Sequence, residues 1–166
     1  MRLYLLRHAR AEIAGDGAPD DSRGLTREGR REAADVGAFL ASRAEAPTYV
    51  LCSAARRAVE TMERVIAALP EKPATSISEA LYLASSRKLF EQVRATDPSV
   101  SSLMLVGHNP GIAELAANLS GRGDAAALRS LARRFPPATL AELEPPEGGW
   151  SALAPHTSRL VSHFVA

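Results

Sequence analysis

Four short apolar runs divide the first two thirds of the chain into segments of alternating character. They predict buried strands at residues 3–6 and 49–52, a weaker strand around residues 75–77 and a further strand at residues 103–106. The segments that follow these runs carry apolar residues at helical spacing, which predicts a helix after each strand. Strands and helices that alternate in this way form a mostly parallel sheet with helices on both faces. The pattern therefore predicts an α/β fold, a three-layer α/β/α sandwich.

Polar residues indicate where three of the predicted helices begin. Serine, threonine and asparagine are favoured just before a helix, because their side chains accept hydrogen bonds from its free N–H groups. Thr26 and Ser53 are predicted to cap the helices that follow the first and second strands. Asn109 is predicted to cap the helix after the fourth strand, with Pro110 at the first helical position.

The hydrophobic pattern becomes looser after about residue 124. Residues 139–143 are predicted to form a strand, and we expect late or edge strands in the rest of the tail. His156 and His163 fall in this region, and we interpret them as surface or packing residues. The length of 166 residues fits a single domain over residues 1–166, which is large enough to bury a core.

Composition and charge exclude several classes of function. The net charge of +1 gives no global attraction for nucleic acid or for an anionic membrane, so we expect neither as a partner. Cys52 is the only cysteine, which excludes an intramolecular disulfide and a thiolate-based metal or iron–sulfur site. No stretch approaches the ~18 apolar residues of a membrane span, and the first apolar run is too short for a signal sequence. We therefore expect a cytoplasmic protein.

Charged and nucleophilic side chains follow the predicted strands. Ligands of open α/β sheets bind beside the carboxyl ends of the strands, where these side chains would converge. They are Arg7 and His8 after the first strand, Arg56 and Arg57 after the second, Glu79 after the third, and His108 after the fourth. Arginines and histidines together suit a doubly charged oxyanion, with a nucleophile and a proton donor beside it. The sequence therefore indicates a site for a phosphoryl group at this edge.

Four ordered segments of the chain resemble the motifs of a known family. They are residues 5–11 (LLRHARA), 23–29 (RGLTREG), 53–61 (SAARRAVET) and 106–110 (VGHNP). Together they are similar to the signature of the histidine phosphatase superfamily, whose members have the phosphoglycerate-mutase-like fold. The Arg-His-Ala start, the arginine before Leu-Thr and the short chain resemble the SixA-type phosphohistidine phosphatases. The resemblance implies a phosphatase that acts on phosphohistidine in proteins.

The resemblance also implies a role for each matching residue. His8 would attack the phosphorus and become a phosphohistidine, while Arg7 and Arg57 would hold the phosphoryl oxygens. A protonated His108 would donate to the same oxygens. Arg23 would add a further phosphate contact in the SixA-type pattern.

Glu79 is a candidate general acid. It lies in a Glu-x-x-Tyr segment that resembles the segment supplying the proton donor in mutase-like members, although it also fits a surface glutamate at the start of a loop. Phosphoramidates need less help from an acid than phosphoesters, so a SixA-type enzyme depends less on such a residue. Arginine and histidine side chains neutralise phosphoryl charge without a metal, and we expect neither a metal nor another cofactor.

Three other functions stay open on the sequence. A small-metabolite phosphomonoesterase of the same superfamily would bind the same phosphoryl group, and the loops at residues 12–22 and 83–88 carry no recognisable specificity motif. A non-catalytic module that binds phospholigands would not require both histidines. A cysteine-dependent phosphatase needs five residues between its cysteine and its arginine. Counted from Cys52, that position holds Ala58, and Arg57 lies one position too early. The partner we expect is a phosphorylated substrate, such as a phosphohistidine-bearing protein, and no oligomeric state is indicated.

Overall fold

Strands and helices alternate along the chain, and the computed structural model describes residues 1–13, 15 and 17–166. The strands are β1 (Arg2–Arg7), β2 (Tyr49–Ser53), β3 (Ala74–Ser78), β4 (Ser102–Gly107), β5 (Ser120–Gly123), β6 (Thr139–Glu144) and β7 (Ser158–Val165). The α-helices are α1 (Arg27–Ala41), α2 (Arg56–Ala67), α3 (Ser86–Arg94), α4 (Gly111–Leu119) and α5 (Ala125–Arg133). Short 3₁₀ helices lie at Asp20–Ser22, Glu79–Leu81 and Trp150–Ala152.

The strands form one sheet in the order β3-β2-β4-β1-β6-β7-β5. β1 lies at the centre, parallel to β4 on one side and antiparallel to β6 on the other. Within the described residues β6 alone runs against the other strands, so the sheet is mostly parallel, as predicted. The carboxyl ends of β1 to β4 therefore meet at one edge of the sheet.

Two hydrophobic cores cover the two faces of this sheet. Along β1 the side chains alternate, so that Leu3 and Leu5 pack with residues of α3, α4 and α5, while Tyr4 and Leu6 pack with α1 and α2. Helices therefore lie on both faces, which confirms the predicted three-layer sandwich. In the described part of the chain, no helix is long and apolar enough to cross a membrane.

Two of the predicted helix caps are wrong. Ser53 is the last residue of β2, and its hydroxyl lies 2.8 Å from Nε2 of His108. Asn109 precedes α4 by two positions, and its amide donates to the carbonyl oxygen of Phe135 at 2.9 Å. Both side chains make tertiary contacts at the end of the sheet, and Ser53 in addition accepts a long local hydrogen bond from the N–H of Ala55 at 3.4 Å.

The C-terminal third also differs from the prediction. β6 confirms the strand predicted at residues 139–143, and it lies inside the sheet between β1 and β7. β5 and α5 are not predicted, because β5 has the sequence Ser-Gly-Arg-Gly and α5 buries only Leu131 fully. His156 is exposed, and His163 is partly buried with Nδ1 2.9 Å from the hydroxyl of Ser130. Weak hydrophobic periodicity thus hides two elements that tertiary contacts stabilise.

The start of α1 is held against the loop that follows β1. Thr26 is confirmed as a helix cap, because its Oγ1 accepts a hydrogen bond from the backbone N–H of Gly29 at 2.9 Å. The N–H of Thr26 donates to the carbonyl oxygen of Arg10 at 3.0 Å. A Cβ on Gly29 would lie 1.9 Å from the same oxygen, so this close approach of two backbones requires glycine. The contact holds the loop that carries His8.

We expect Gly29→Ala to lower the free energy of unfolding by about 2 kcal/mol, because the added methyl group must push the Arg10 backbone away from α1. Gly15→Ala is the matched control, since an added Cβ there meets none of the described atoms within 4 Å. Urea denaturation of the wild type and both variants measures the difference. Equal loss of stability in the two variants would contradict the close packing assigned to Gly29.

Candidate active site

A cavity of about 430 Å³ opens where β1, β2 and β4 end. Arg7 and His8 reach it from the end of β1, and His108 reaches it from the residue after β4. Arg57 comes from the first turn of α2, and Arg23 comes from the loop before α1. The other lining residues are Asp20, Tyr82, Leu83 and Asn109. The structure therefore brings Arg7, His8, Arg23, Arg57 and His108 together, but neither Arg56 nor Glu79 lines the cavity.

The backbone holds the imidazole of His8 in one tautomer. Its Nδ1 lies 2.8 Å from the carbonyl oxygen of Ala9, and a carbonyl oxygen can only accept a hydrogen bond. The neutral ring therefore carries its proton on Nδ1 and keeps a lone pair on Nε2. Nε2 accepts a hydrogen bond at 3.3 Å from Nε of Arg57, a residue that lines the cavity. The basic atom of His8 is thus the one that faces an anion-binding group.

Thr61 joins the loop after His8 to helix α2. The N–H of Ala9 donates to Thr61 Oγ1 at 3.0 Å, and the Thr61 hydroxyl donates to the carbonyl oxygen of Arg57 at 2.6 Å. The Thr61 side chain is fully buried. These two hydrogen bonds set the distance between the His8 loop and the first turn of α2. The sequence places Thr61 in a motif, but only the structure shows what it connects.

Arg57 contributes a buried guanidinium, of which only 2% is exposed. Its Nη1 donates to the backbone carbonyl oxygen of Asp20 at 2.7 Å, and its Nη2 donates to the Asp20 carboxylate at 2.9 Å. The Cζ atom of this guanidinium lies 5.7 Å from the centroid of the Tyr82 ring, over its face. Arg56 is 64% exposed and pairs with Glu60 at 2.6 Å, outside the cavity. The structure therefore places Arg57, and not Arg56, at the site.

A distant backbone segment positions Arg7. Its Nη1 donates to the carbonyl oxygen of Phe135 at 2.8 Å, and the same oxygen accepts from the amide of Asn109. The Nε of Arg7 is buried and has no hydrogen-bond partner in the part of the chain that the structure describes. Burial lowers the pKa of Arg7, yet a guanidinium stays charged at any physiological pH. Arg7 therefore keeps its positive charge, and its Nε–H group has no hydrogen-bond partner in the described residues.

His108 is almost fully buried behind these groups. Its Nε2 contacts the hydroxyl of Ser53, a contact that the sequence does not suggest, and its Nδ1 has no partner among the described residues. Burial lowers the pKa of His108 to about 3, with further contributions from His8 and Arg57. The expectation of a protonated His108 is therefore wrong for this structure. The ring is neutral at physiological pH, because a further positive charge is unfavourable in a buried cluster of arginines.

Asp20 and Tyr82 are site residues that sequence analysis does not identify. The Tyr82 hydroxyl donates to Oδ2 of Asp20 at 2.6 Å, and Nη2 of Arg23 pairs with Oδ1 at 2.6 Å. Tyr82 is signalled only as the last residue of the Glu-x-x-Tyr segment. Asp20 belongs to a polar loop that contains other acidic residues, and no local pattern distinguishes it from them. Its role depends on how the loop folds over α2.

Carboxylates are scarce around the cavity. Asp20 is the one carboxylate that lines it within the described chain. Glu79 begins the 3₁₀ helix Glu79–Leu81 with an exposed side chain and is not among the lining residues. The candidate general acid therefore lacks support from geometry. Residues 1–13, 15 and 17–166 also contain no group of three or more histidine, cysteine, aspartate or glutamate side chains that could hold a metal ion.

Comparisons with known proteins agree with this geometry. A family model of the histidine phosphatase superfamily (branch 1) matches residues 3–98. An uncharacterized protein of Mycobacterium tuberculosis is 33% identical over 163 residues, which cover 96% of this chain and 99% of that protein. The structure of a protein of Nakamurella multipartitia, assigned as the phosphohistidine phosphatase SixA, is similar with a TM-score of 0.85 at 27% identity. That similarity covers 98% of this chain and 94% of the other.

A second solved structure, of an Agrobacterium tumefaciens protein also assigned as SixA, has a TM-score of 0.82 at 30% identity and covers 99% of this chain and 97% of the other. Because the family model matches more than half of the chain, the protein belongs to the histidine phosphatase superfamily (branch 1). It is a phosphatase, and within the superfamily it is similar to the SixA-type proteins. The resemblance carried by the four sequence segments and the phosphoglycerate-mutase-like fold are confirmed.

We expect Glu79→Gln to leave kcat for hydrolysis of a phosphoester within about twofold of the wild type, because a general acid that protonates the alkoxide leaving group would contribute about 100-fold or more. Glu71→Gln, at another exposed glutamate, controls for the loss of a surface charge. Steady-state release of inorganic phosphate measures both variants. A 100-fold fall confined to Glu79→Gln would restore Glu79 as the acid.

The titration of His8 offers a separate test. Burial lowers the pKa of His8 to about 4, and the charges of Arg57, Arg7 and Arg23 act in the same direction. An unfolded histidine titrates near pH 6.5, so acidification from about pH 6.5 to 4 protonates the unfolded chain first and lowers the stability of the fold. NMR of the imidazole signals, assigned with His8→Ala, should show the His8 midpoint near pH 4. A midpoint near 6.5 would contradict the buried, neutral ring.

Proposed function

We propose that the protein is a phosphohistidine phosphatase that removes the phosphoryl group from histidine residues of a protein substrate. The proposal gives His8 the role of nucleophile. It gives Arg7, Arg57, Arg23 and His108 the role of binding the phosphoryl oxygens. The similarity to two structures of proteins assigned as SixA supports this substrate class.

Charge and donor positions support a phosphoryl site. Arg7, Arg23 and Arg57 bring three permanent positive charges to one cavity, where a phosphoryl dianion would be neutralised. The neutral His108 adds an N–H donor without adding charge. Phosphoryl transfer depends mainly on such positioning and charge stabilisation, so these groups supply what the reaction asks of a protein.

His8 is suited to attack the phosphorus. The Ala9 carbonyl oxygen fixes the proton on Nδ1, so Nε2 presents a lone pair toward the cavity. In the first step Nε2 forms a bond to phosphorus, the bond from phosphorus to the substrate nitrogen breaks, and its electron pair returns to that nitrogen. In the second step water attacks the phosphorus, the P–Nε2 bond breaks, and inorganic phosphate is released. The low pKa of His8 keeps the ring neutral and nucleophilic before attack.

The choice of a phosphoramidate substrate rests on the scarcity of carboxylic acids around the cavity. An alkoxide leaving group of a phosphoester needs a proton donor, whereas an imidazole protonated on its distal nitrogen leaves as a neutral molecule. Asp20 is the one carboxylate lining the cavity in the described residues, and the hydrogen bond from Tyr82, with Arg57 and Arg23 nearby, lowers its pKa to about 2. It therefore carries no proton to donate at neutral pH. A phosphoramidate substrate fits this site better than a phosphoester.

The expected partner is accordingly a phosphohistidine-bearing protein, and the cytoplasmic location and single-domain organisation stay predictions. A site that only binds phospholigands would have no use for the tautomer that the Ala9 carbonyl imposes on His8. A metabolite phosphomonoesterase would need a proton donor for its leaving group, and the one carboxylate that lines the cavity in the described residues, Asp20, is ionised at neutral pH.

The proposal predicts the outcome of a substrate panel that contains a phosphohistidine protein, free phosphoramidate and several phosphoesters. We expect kcat/KM to be highest for phosphohistidine, and His8→Ala to lower it by about 1,000-fold or more. His156→Ala, at an exposed histidine outside the cavity, is the matched control and should retain full activity. A phosphoenzyme trapped from the wild type should be labile in acid and stable in base.

Two results would overturn parts of this assignment separately. Higher kcat/KM for a phosphoester would reject phosphohistidine as the substrate class while leaving the nucleophile in place. Undiminished activity in His8→Ala would reject His8 as the nucleophile.

A further inference from the structure

A carboxylate of the protein itself, that of Asp20, lines the cationic cavity and pairs with two of its arginines. Oδ2 of Asp20 accepts hydrogen bonds from the Tyr82 hydroxyl at 2.6 Å and from Nη2 of Arg57 at 2.9 Å. Its Oδ1 pairs with Nη2 of Arg23 at 2.6 Å. The backbone carbonyl oxygen of the same residue accepts from Nη1 of Arg57 at 2.7 Å. Asp20 thus uses the donors that the proposed function gives to the phosphoryl oxygens.

The partners in these contacts differ in how deeply they are held. The Arg57 side chain is 2% exposed, whereas the Asp20 side chain is 48% exposed. Arg57 is also fixed from behind by its contact with His8 and by the hydrogen bond from Thr61 to its carbonyl oxygen. The arginine belongs to the rigid part of the site, and the aspartate approaches it from the surface loop. Asp20 is therefore the partner that can withdraw.

Burial of a charged guanidinium removes its hydration, and this free-energy cost is not compensated unless an anion pairs with it. Asp20 supplies that anion in this structure. A phosphoryl group bound by Arg57 and Arg23 would need the same N–H groups, so the two anions cannot both make these bonds. Binding of the phosphoryl group and of the Asp20 carboxylate is then mutually exclusive at this position.

We propose that Asp20 is an internal counter-anion that occupies the phosphoryl subsite and that every phosphoryl ligand must displace. The inference rests on the proposed function for the location of the phosphoryl subsite. A phosphorylated protein displaces Asp20 with the help of contacts made by the rest of the substrate. Competition with Asp20 weakens the binding of every phosphoryl ligand by the same factor, so inorganic phosphate, which has only its own oxygens to bind with, is held weakly.

The competition persists at every physiological pH. The hydrogen bond from Tyr82, together with Arg57 and Arg23, lowers the pKa of Asp20 to about 2, so the carboxylate stays ionised. The apparent affinity for a ligand falls by the fraction of protein whose site is accessible. If Asp20 occupies the subsite about nine tenths of the time, its removal strengthens phosphate binding roughly tenfold.

Isothermal titration calorimetry with inorganic phosphate tests this directly. We expect Asp20→Asn and Asp20→Ala each to lower the Kd for phosphate roughly tenfold relative to the wild type. Asp21→Asn is the matched control, because it removes the same charge one position along the loop from a residue that does not line the cavity. Its Kd should stay within about twofold of the wild type, which separates a local exchange from a general change in surface charge.

The result that overturns the proposal is an unchanged or weaker affinity for phosphate in both Asp20 variants, because Asp20 would then support the arginines and not compete for them. Equal tightening in Asp21→Asn would overturn it as well. Thermal unfolding of each variant confirms that the exposed Asp20 side chain can be replaced without loss of the fold. The measurement needs no turnover, so failure of the phosphohistidine assignment, which the substrate panel detects, is distinct from failure of the anion exchange.

Discussion

The site is organised around a buried guanidinium. Arg57 is placed in the first turn of α2, where its positive charge is unfavourable next to the free N–H groups of the helix. Its cost is offset only by groups that come from elsewhere in the chain: the imidazole of His8, the loop at Asp20 and the ring of Tyr82. The imidazole of His8 is in turn held by the carbonyl oxygen of Ala9. The need to satisfy one buried cation therefore assembles the cavity.

The sheet topology makes this assembly possible. β1 lies between β4 and β6, so the residues that follow β1 and β4 emerge side by side, with ring centroids of His8 and His108 5.1 Å apart. The antiparallel β6 is preceded by Phe135, whose carbonyl oxygen orients both Arg7 and Asn109. The C-terminal segment, which the sequence describes least well, thus contributes a backbone acceptor to the site.

Most of the fold follows from local patterns in the sequence. The central strands β1 and β4 are continuous apolar runs because both of their faces are buried, and such runs are readable without a structure. The motif residues Arg7, His8, Arg57 and His108 could be located because they stand where strands end. The helix caps were less predictable, since polar residues at strand ends also take tertiary partners, as Ser53 does with His108.

The sequence by itself determined the class of fold, the family and the cationic residues of the site, because these depend on periodicity and on spacing within short segments. Only the tertiary structure decided the protonation of His108, the position of Glu79 outside the cavity lining and the presence of Asp20 at Arg57. Burial and the proximity of charges set a pKa, and both arise from residues far apart in the chain. The loop that carries Asp20 has no periodicity to read, so its contact with Arg57 exists only in three dimensions.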